Sequence, residues 1–451
     1  MAWNLHSEAD GTEIIIVQQY SRDLGDAAGV KKQVEIPYGK ETLKFEVGEQ
    51  NLVGVYSPKN VPGVADLGAA IRQALANPIG TKPVRDLARG AQKVVLVADD
   101  NTRLTPADKI IPILLDELNA AGIRDEQVTV IIALGTHRPM TPEEILAKYG
   151  PEVVRRVQVK NHNFRDPELM VDLGTTPNGT HIQVNREAFE ADFKIGIGSI
   201  VPHYIPGFAG GAKIVQPGIS AERTTAETHL LSTYEPRSFL GIRDNPVRIE
   251  LNSIAQAVRL NTIVNTVLNC HGDVVGVFYG DVVEAFNAGV ELSRDVYSVE
   301  LPEVADIVVA SSYPCDIEFW QAHKALYPAD LAVKAGGVIV LATPCYEGVS
   351  VTHADILEIT GETMQGLKER VARKEVHDEV AASLAIGWAQ VKEREAVYMV
   401  SSGIAAEKAL RLGFKPFPTM QAALDAALEL QGPMARITVL THAPDMLPVI
   451  G

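Results

Sequence analysis

Apolar residues along this chain follow two rhythms. Short unbroken runs rich in Val, Ile, Leu and Ala occur at 94–98, 128–134, 193–197, 305–310 and 336–341, with further short runs at 396–401 and 436–440. Runs of that length, bounded by glycine or polar residues, read as buried strands. Helical spacing fills the intervals. Ile110, Ile111, Leu114, Leu115 and Leu118 share one face of 108–121, and Leu, Ile and Ala recur over 66–76 until Asn77-Pro78 stops them. Thr141-Pro142-Glu143-Glu144 opens another helix, with Thr as cap and Pro in the first turn. Residues 220–257 read as mostly helical, broken at Gly241 and at Asn245-Pro246, and helices are also expected over 281–294, up to Ala335 and over 420–429. Alternation around a turn predicts hairpins at 33–39 with 43–47 and at 262–268 with 274–278.

Strands that alternate with helices build mostly parallel α/β sheets. The expected fold is therefore two α/β domains with mostly parallel sheets and an active-site cleft between them. The division runs as an N-terminal arm (1–30, with the apolar patch Ile14-Ile15-Ile16-Val17), an N-terminal domain (31–296) and a C-terminal domain (297–451). A chain of 451 residues exceeds one ordinary core, and no low-complexity linker interrupts 295–302. Ligands bind beyond the carboxyl ends of strands in such sheets. Three polar motifs follow strand candidates directly, so they should share one rim.

Composition narrows the function classes. Hydrophobic residues make up 46% and charged residues 22%, as in globular proteins, and 41 basic against 57 acidic residues leave a net charge of −16. Such a balance does not favour nucleic acid or a membrane surface as partner. Cys270, Cys315 and Cys345 are scattered with no CxxC pair, which fits a reducing compartment. No apolar leader follows Met1, and no apolar run approaches a membrane span. A cytoplasmic protein is expected.

The first motif, Asp99-Asp100-Asn101-Thr102-Arg103, lies between a strand and a helix. There Asp100 is either a helix cap or an acceptor for ribose hydroxyls, and Arg103 either a surface ion pair or a forked grip on a carboxylate. His137 follows a strand through Gly135-Thr136. The longest motif runs from Gly198 through His203, Gly207, Gly210, Gly211 and Lys213 to His229. Its glycines allow close backbone approach to a ligand, yet it is not a P-loop, because Ile follows Lys213. Lys213 is thus a phosphate contact or a covalent attachment point, and His229 a candidate metal ligand. Gln321 and Lys324 would add a second anion grip from the other domain. His6, His162, His181, His271, His353, His377 and His442 read as structural or exposed, and His323 stays open. Two other functions are compatible with these residues alone. One is a zinc-assisted hydrolase using His137, His203 and His229, although HExxH spacing is absent; the other is a non-catalytic nucleotide-cofactor-binding protein.

Taken in order, Asp100-Asn101-Thr102-Arg103, Gly135-Thr136-His137-Arg138-Pro139, His203 with Gly207 to Lys213, Pro217-Gly218-Ile219, His229 and Gln321-Ala322-His323-Lys324 resemble the nickel-pincer-nucleotide-dependent lactate racemase family. The resemblance spans about Val34 to Val439. It implies a racemase or epimerase that inverts C2 of a 2-hydroxy carboxylate by transient hydride transfer. It implies that Lys213 carries the pyridinium thioamide/thiocarboxylate mononucleotide, that His229 completes the nickel coordination, and that Asp100, Gly210 and Gly211 help hold the cofactor. His137 and His203 would be the acid/base pair, with Arg103, Gln321 and Lys324 on the substrate carboxylate. Cofactor-synthesis proteins would be partners in maturation. The chain departs from the family pattern at Ser383, where a tryptophan is expected in the substrate wall with Trp388 nearby, at Tyr204-Ile205-Pro206, and at Trp320 before Gln321. Those departures leave lactate as one candidate among several 2-hydroxy acids.

Overall fold

The computed structural model describes residues 30–451; the rest of the expected arm, including Ile14 to Val17, lies outside them. Two six-stranded sheets organise the chain. The first runs in the spatial order Val274–Gly280, Thr262–Leu268, Phe193–Ser199, Val94–Asp99, Val128–Ala133, Gln158–Asn161. Only its edge strand Val274–Gly280 is antiparallel, forming the expected hairpin with Thr262–Leu268. The second, parallel throughout, runs Lys415–Pro416, Ala396–Val400, Val333–Ala342, Ala305–Ser311, Ile437–Leu440, Leu52–Tyr56. Every residue of Val94–Asp99 is buried, as its unbroken apolar text requires of a strand covered on both faces. Helix Ala107–Ala120 covers it with Ile110, Ile111, Leu114, Leu115 and Leu118.

Two boundaries differ from the sequence reading. Residues 31–56, assigned above to the N-terminal domain, belong with the second sheet. Leu52–Tyr56 pairs with Ile437–Leu440, and the hairpin Lys31–Tyr38/Glu41–Gly48 packs Val34, Ile36, Phe45 and Val47 against Ile307, Val309 and Val338. Alternating apolar residues fit either sheet, so only long-range pairing decides. The helix expected to reach Ala335 ends at Ala332, because β-branched Val333 pairs with Ala305 and starts the next strand.

Helix Pro142–Arg156, kinked at Gly150 (φ 77°), fixes the cleft loops. Thr141 and Glu144 form a reciprocal cap, and Glu144 also accepts from Asn101 at 3.1 Å and Arg138 at 2.8 Å. One turn on, Lys148 Nζ donates to the Arg103 and Thr105 carbonyls, and the Tyr149 hydroxyl to that of Asp99. The helix start therefore holds both rim loops. Among the described residues, no helix is long and apolar enough to cross a membrane.

His162 is a core histidine with both ring nitrogens satisfied in the neutral form. Nε2–H donates to the Ser220 carbonyl at 3.0 Å, and Nδ1 accepts from Asn185 Nδ2 at 3.4 Å. Burial lowers it to about 4 from an ordinary 6.5. Its folded value lies below its unfolded one, so the unfolded chain takes up the proton first and stability falls as pH drops from about 6.5 to 4. Between pH 7 and pH 5 the wild type should lose roughly 2 kcal/mol more unfolding free energy than His162→Gln, read from urea transitions. Equal losses would remove His162 from that role.

Candidate active site

The carboxyl ends of the central strands of the first sheet open into a cavity closed by the second domain. Asp100, Arg103, His137, His203, Gly210, Lys213, His229, Gln321 and Lys324 all line it. Gly211 does not. It lies below the cavity, its amide donates to Asn265 Oδ1 at 2.8 Å, and an added Cβ would meet the Phe286 ring. A Cβ at Gly210 would likewise strike Ile200, so packing alone already demands glycine at both positions, while Gly210 also lines the cavity. Gly207 is stricter still, with φ +79° and the Ile242 carbonyl where a Cβ would be. It pairs with His203 in the two-residue hairpin Pro202–His203/Gly207–Phe208, which presents that histidine.

His137 follows Val128–Ala133 and His203 follows Phe193–Ser199, while Val94–Asp99 runs between those two strands. The imidazoles thus reach the cavity from either side of the loop that carries Asp100 and Arg103. Their hydrogen bonds give them opposite characters. Asp100 Oδ2 lies 2.6 Å from His137 Nδ1, so that nitrogen carries the hydrogen and Nε2 is a bare acceptor, met by the Gln321 side-chain amide at 2.9 Å. His203 Nδ1 instead accepts from the Ile205 amide at 3.2 Å, which leaves the hydrogen on Nε2. Burial first, then Lys213, Lys324 and Arg103, push His203 well below its ordinary range. Tyr204 stacks on it at 4.7 Å and on Tyr327 at 4.1 Å.

Asp100, expected to help hold a cofactor, is also engaged within the protein on both of its oxygens. Its Oδ2 is taken by His137 and its Oδ1 by the Thr102 amide and hydroxyl. Burial alone would raise this carboxyl, but His137, Arg103 and Thr102 hold it well below the usual carboxylate range. It therefore stays ionised and orients the imidazole.

Three cations converge without a carboxylate hydrogen bond among them. Arg103 Nη1 lies 3.3 Å from Gln321 Oε1, and Lys324 Nζ donates to the same oxygen. Burial, then Arg103, lowers Lys324 to about 8. Lys213, at the turn Gly211–Ile214, is pushed well below its ordinary range by burial and then by Arg103 and Lys324. That shift favours the unprotonated, nucleophilic form of its amine. Desolvated cations leaning on a shared amide oxygen form a pocket that an anionic ligand would relieve.

His229, on helix Glu222–Ser232, has a buried Nδ1 with no hydrogen-bond partner among the described residues, and burial lowers the ring to about 3. A neutral imidazole with an orphaned nitrogen suits a metal better than a proton. The zinc arrangement of His137, His203 and His229 is not formed. Among the described residues only Glu222, His353 and Asp378 gather with metal-ligand spacing.

Sequence reading missed part of the wall. Leu384 lines the cavity with Tyr204 and Trp320. Its neighbour Ser383 turns its hydroxyl to the Val380 carbonyl, and Trp388 packs into the core on Phe319. Position 384 is one residue from the wall position that the family resemblance implies, and that adjacency is the sequence signal for it. His323 stands behind the wall, edge-on to Tyr204 and Tyr327.

Fold and site describe a two-domain α/β enzyme with paired imidazoles beside a cationic cavity. Comparison with known proteins specifies it further. The lactate racemase N-terminal domain pattern matches residues 38–241, and the lactate racemase C-terminal domain pattern matches 301–450. Lactate racemase from Thermoanaerobacterium thermosaccharolyticum is 33% identical over 321 residues, 70% of this chain and 75% of that protein. Lactate racemase from Lactiplantibacillus plantarum is 28% identical over 428 residues, 92% of this chain and 99% of that protein. The T. thermosaccharolyticum lactate racemase apoprotein structure superposes with TM-score 0.83 at 28% identity, covering 93% of this chain and all of that one. A Thermotoga maritima protein shares the fold, with TM-score 0.70 at 21% identity over 87% of this chain and all of its own. The chain belongs to the lactate racemase family.

Proposed function

We propose that the protein inverts the C2 centre of a 2-hydroxy carboxylate, lactate or a close relative, using a nickel-pincer nucleotide held by Lys213 and His229. The observation that carries this reading is the pair of oppositely prepared imidazoles, bare Nε2 on His137 and Nε2–H on His203, facing one cavity from two sides of a strand end. Inversion of one centre needs proton handling on two faces, and the two rings differ in the way that requires.

The residues fit the cofactor. Lys213 would offer an amine shifted toward its unprotonated form for covalent attachment, and His229 an unpartnered buried nitrogen for nickel. Bound there, the nucleotide would supply a reversible hydride acceptor, which avoids building a carbanion beside an ionised carboxylate. The chain's own residues do the rest. Arg103 and Lys324 exchange the Gln321 oxygen for the substrate carboxylate, a stronger, charge-assisted contact. His137, oriented by Asp100, takes the hydroxyl proton on Nε2. His203 meets the same oxygen after the carbonyl turns its other face, and donates from Nε2. Burial of these groups keeps water from competing.

The substrate side chain would rest on Leu384, Tyr204 and Trp320, an apolar wall that favours small aliphatic or aromatic groups over a second carboxylate. Cofactor-loaded protein incubated with single enantiomers of lactate, phenyllactate, malate and 2-hydroxyglutarate should racemise the first two fastest, read by chiral chromatography. Tight nucleotide binding with no enantiomer interconverted would favour the non-catalytic binding role.

A further inference from the structure

Thr136, directly before His137, offers its carbonyl to the second domain twice. The Thr352 hydroxyl donates to it at 3.0 Å, and His353 Nε2 lies 3.3 Å from it. The other ring nitrogen of His353 sits 2.5 Å from Asp378 Oδ2. Asp378 is itself fixed, because it caps helix Glu379–Lys392 by accepting from the Ala381 amide at 2.8 Å. The His353 side chain is wholly buried, and the Trp320 indole lies flat on it at 4.0 Å with 9° between the planes. Trp320 precedes Gln321, the residue that donates to His137 Nε2. Two paths from His353 therefore end on His137, one through the Thr136 peptide and one through the Trp320-Gln321 turn.

The trio Glu222, His353 and Asp378 has metal-ligand spacing, but the cation beside it is already a guanidinium. Arg165 pairs with Glu222 at 2.9 Å and lies 3.8 Å from Asp378. That leaves His353 free of a ligand role and committed to the Thr136 carbonyl.

We infer that His353, backed by Asp378, is a positioning residue that locks the His137 loop of one domain onto the other and keeps His137 Nε2 aimed into the cavity. A ring stacked on Trp320 and set between two acceptors, the Asp378 carboxylate and the Thr136 carbonyl, has a single orientation. It passes that constraint to a catalytic group whose displacement by about 1 Å would cost on the order of 100-fold in rate. The kinetic consequence rests on the racemase reading; the locking of the loop does not.

The test compares His353→Phe, which keeps the stack on Trp320 but has no N–H, with His353→Gln, which restores one donor. In cofactor-loaded enzyme, His353→Phe should lower kcat about 10- to 100-fold, with KM within about twofold and the Lys213 adduct intact by mass, and His353→Gln should recover most of the loss. Hydrogen–deuterium exchange at the amides of 135–138 should quicken in His353→Phe and stay near wild type in His353→Gln. Wild-type kcat in His353→Phe, or unchanged exchange at 135–138, overturns the inference, as does a fall confined to thermal stability. If His353→Phe does not fold, His353→Asn, too short to reach Thr136, takes its place in the same comparison. If the wild type interconverts no enantiomers, the racemase reading fails and the exchange measurement alone judges the lock.

Discussion

Replacing His137 or His203 with alanine is expected to lower racemisation by about 10²- to 10⁴-fold each, with the Lys213 adduct still present by intact mass. Each imidazole has its own hydrogen-bonding environment, so neither can take over from the other. His137 works from a bare Nε2 because Asp100 holds the hydrogen on Nδ1, whereas His203 is held in the other tautomer by the Ile205 amide. Losing either breaks the same proton path, so the double variant should be little worse than the worse single one. Asp100→Asn gives an intermediate result, since an amide no longer dictates the His137 tautomer. Turnover within tenfold of wild type in either alanine variant would contradict the assignment of the pair.

Lys213→Ala and Lys213→Arg are both expected to abolish covalent cofactor attachment, and racemisation with it. The arginine variant is the sharper of the two. It is a long basic side chain like lysine, but a guanidinium stays protonated near neutral pH and is no nucleophile. Lys213 differs because burial, together with Arg103 and Lys324, favours its neutral amine. Intact mass after coexpression with the cofactor-synthesis proteins should show the adduct on wild type and on His229→Ala, but on neither Lys213 variant. Nickel analysis should show the metal depleted in His229→Ala, whose wild-type Nδ1 has no other partner among the described residues. An adduct retained on Lys213→Arg would move the attachment point elsewhere.

Local text made most of the first sheet legible. Val94–Asp99, Val128–Ala133 and Phe193–Ser199 are buried on both faces, so their apolar runs stand out, and parallel topology then places the loops after them on one rim. What stayed hidden depends on contacts between distant residues. Asp100 sits 37 positions from His137, and nothing around Asp100 distinguishes a cap from a carboxylate that orients an imidazole. The placement of 31–56 turns on Leu52–Tyr56 pairing with a strand near the other end of the chain. His353 looked like any isolated histidine, and its meaning comes from Thr136, Trp320 and Asp378, which lie on three separate segments. The glycines carry a second, packing constraint that is hidden for a related reason. Gly210 and Gly211 occur in a ligand-like pattern, but the atoms pressing on them are Ile200 and Phe286.

Incubation of cofactor-loaded protein with L-lactate deuterated at C2 in ordinary water, followed by chiral separation and mass analysis of the product, tests the central claim most directly. Transfer as hydride predicts D-lactate that keeps its deuterium at C2 while His137 and His203 exchange only the hydroxyl proton. D-lactate with protium from solvent at C2 would mean that these histidines work on carbon, and would contradict it.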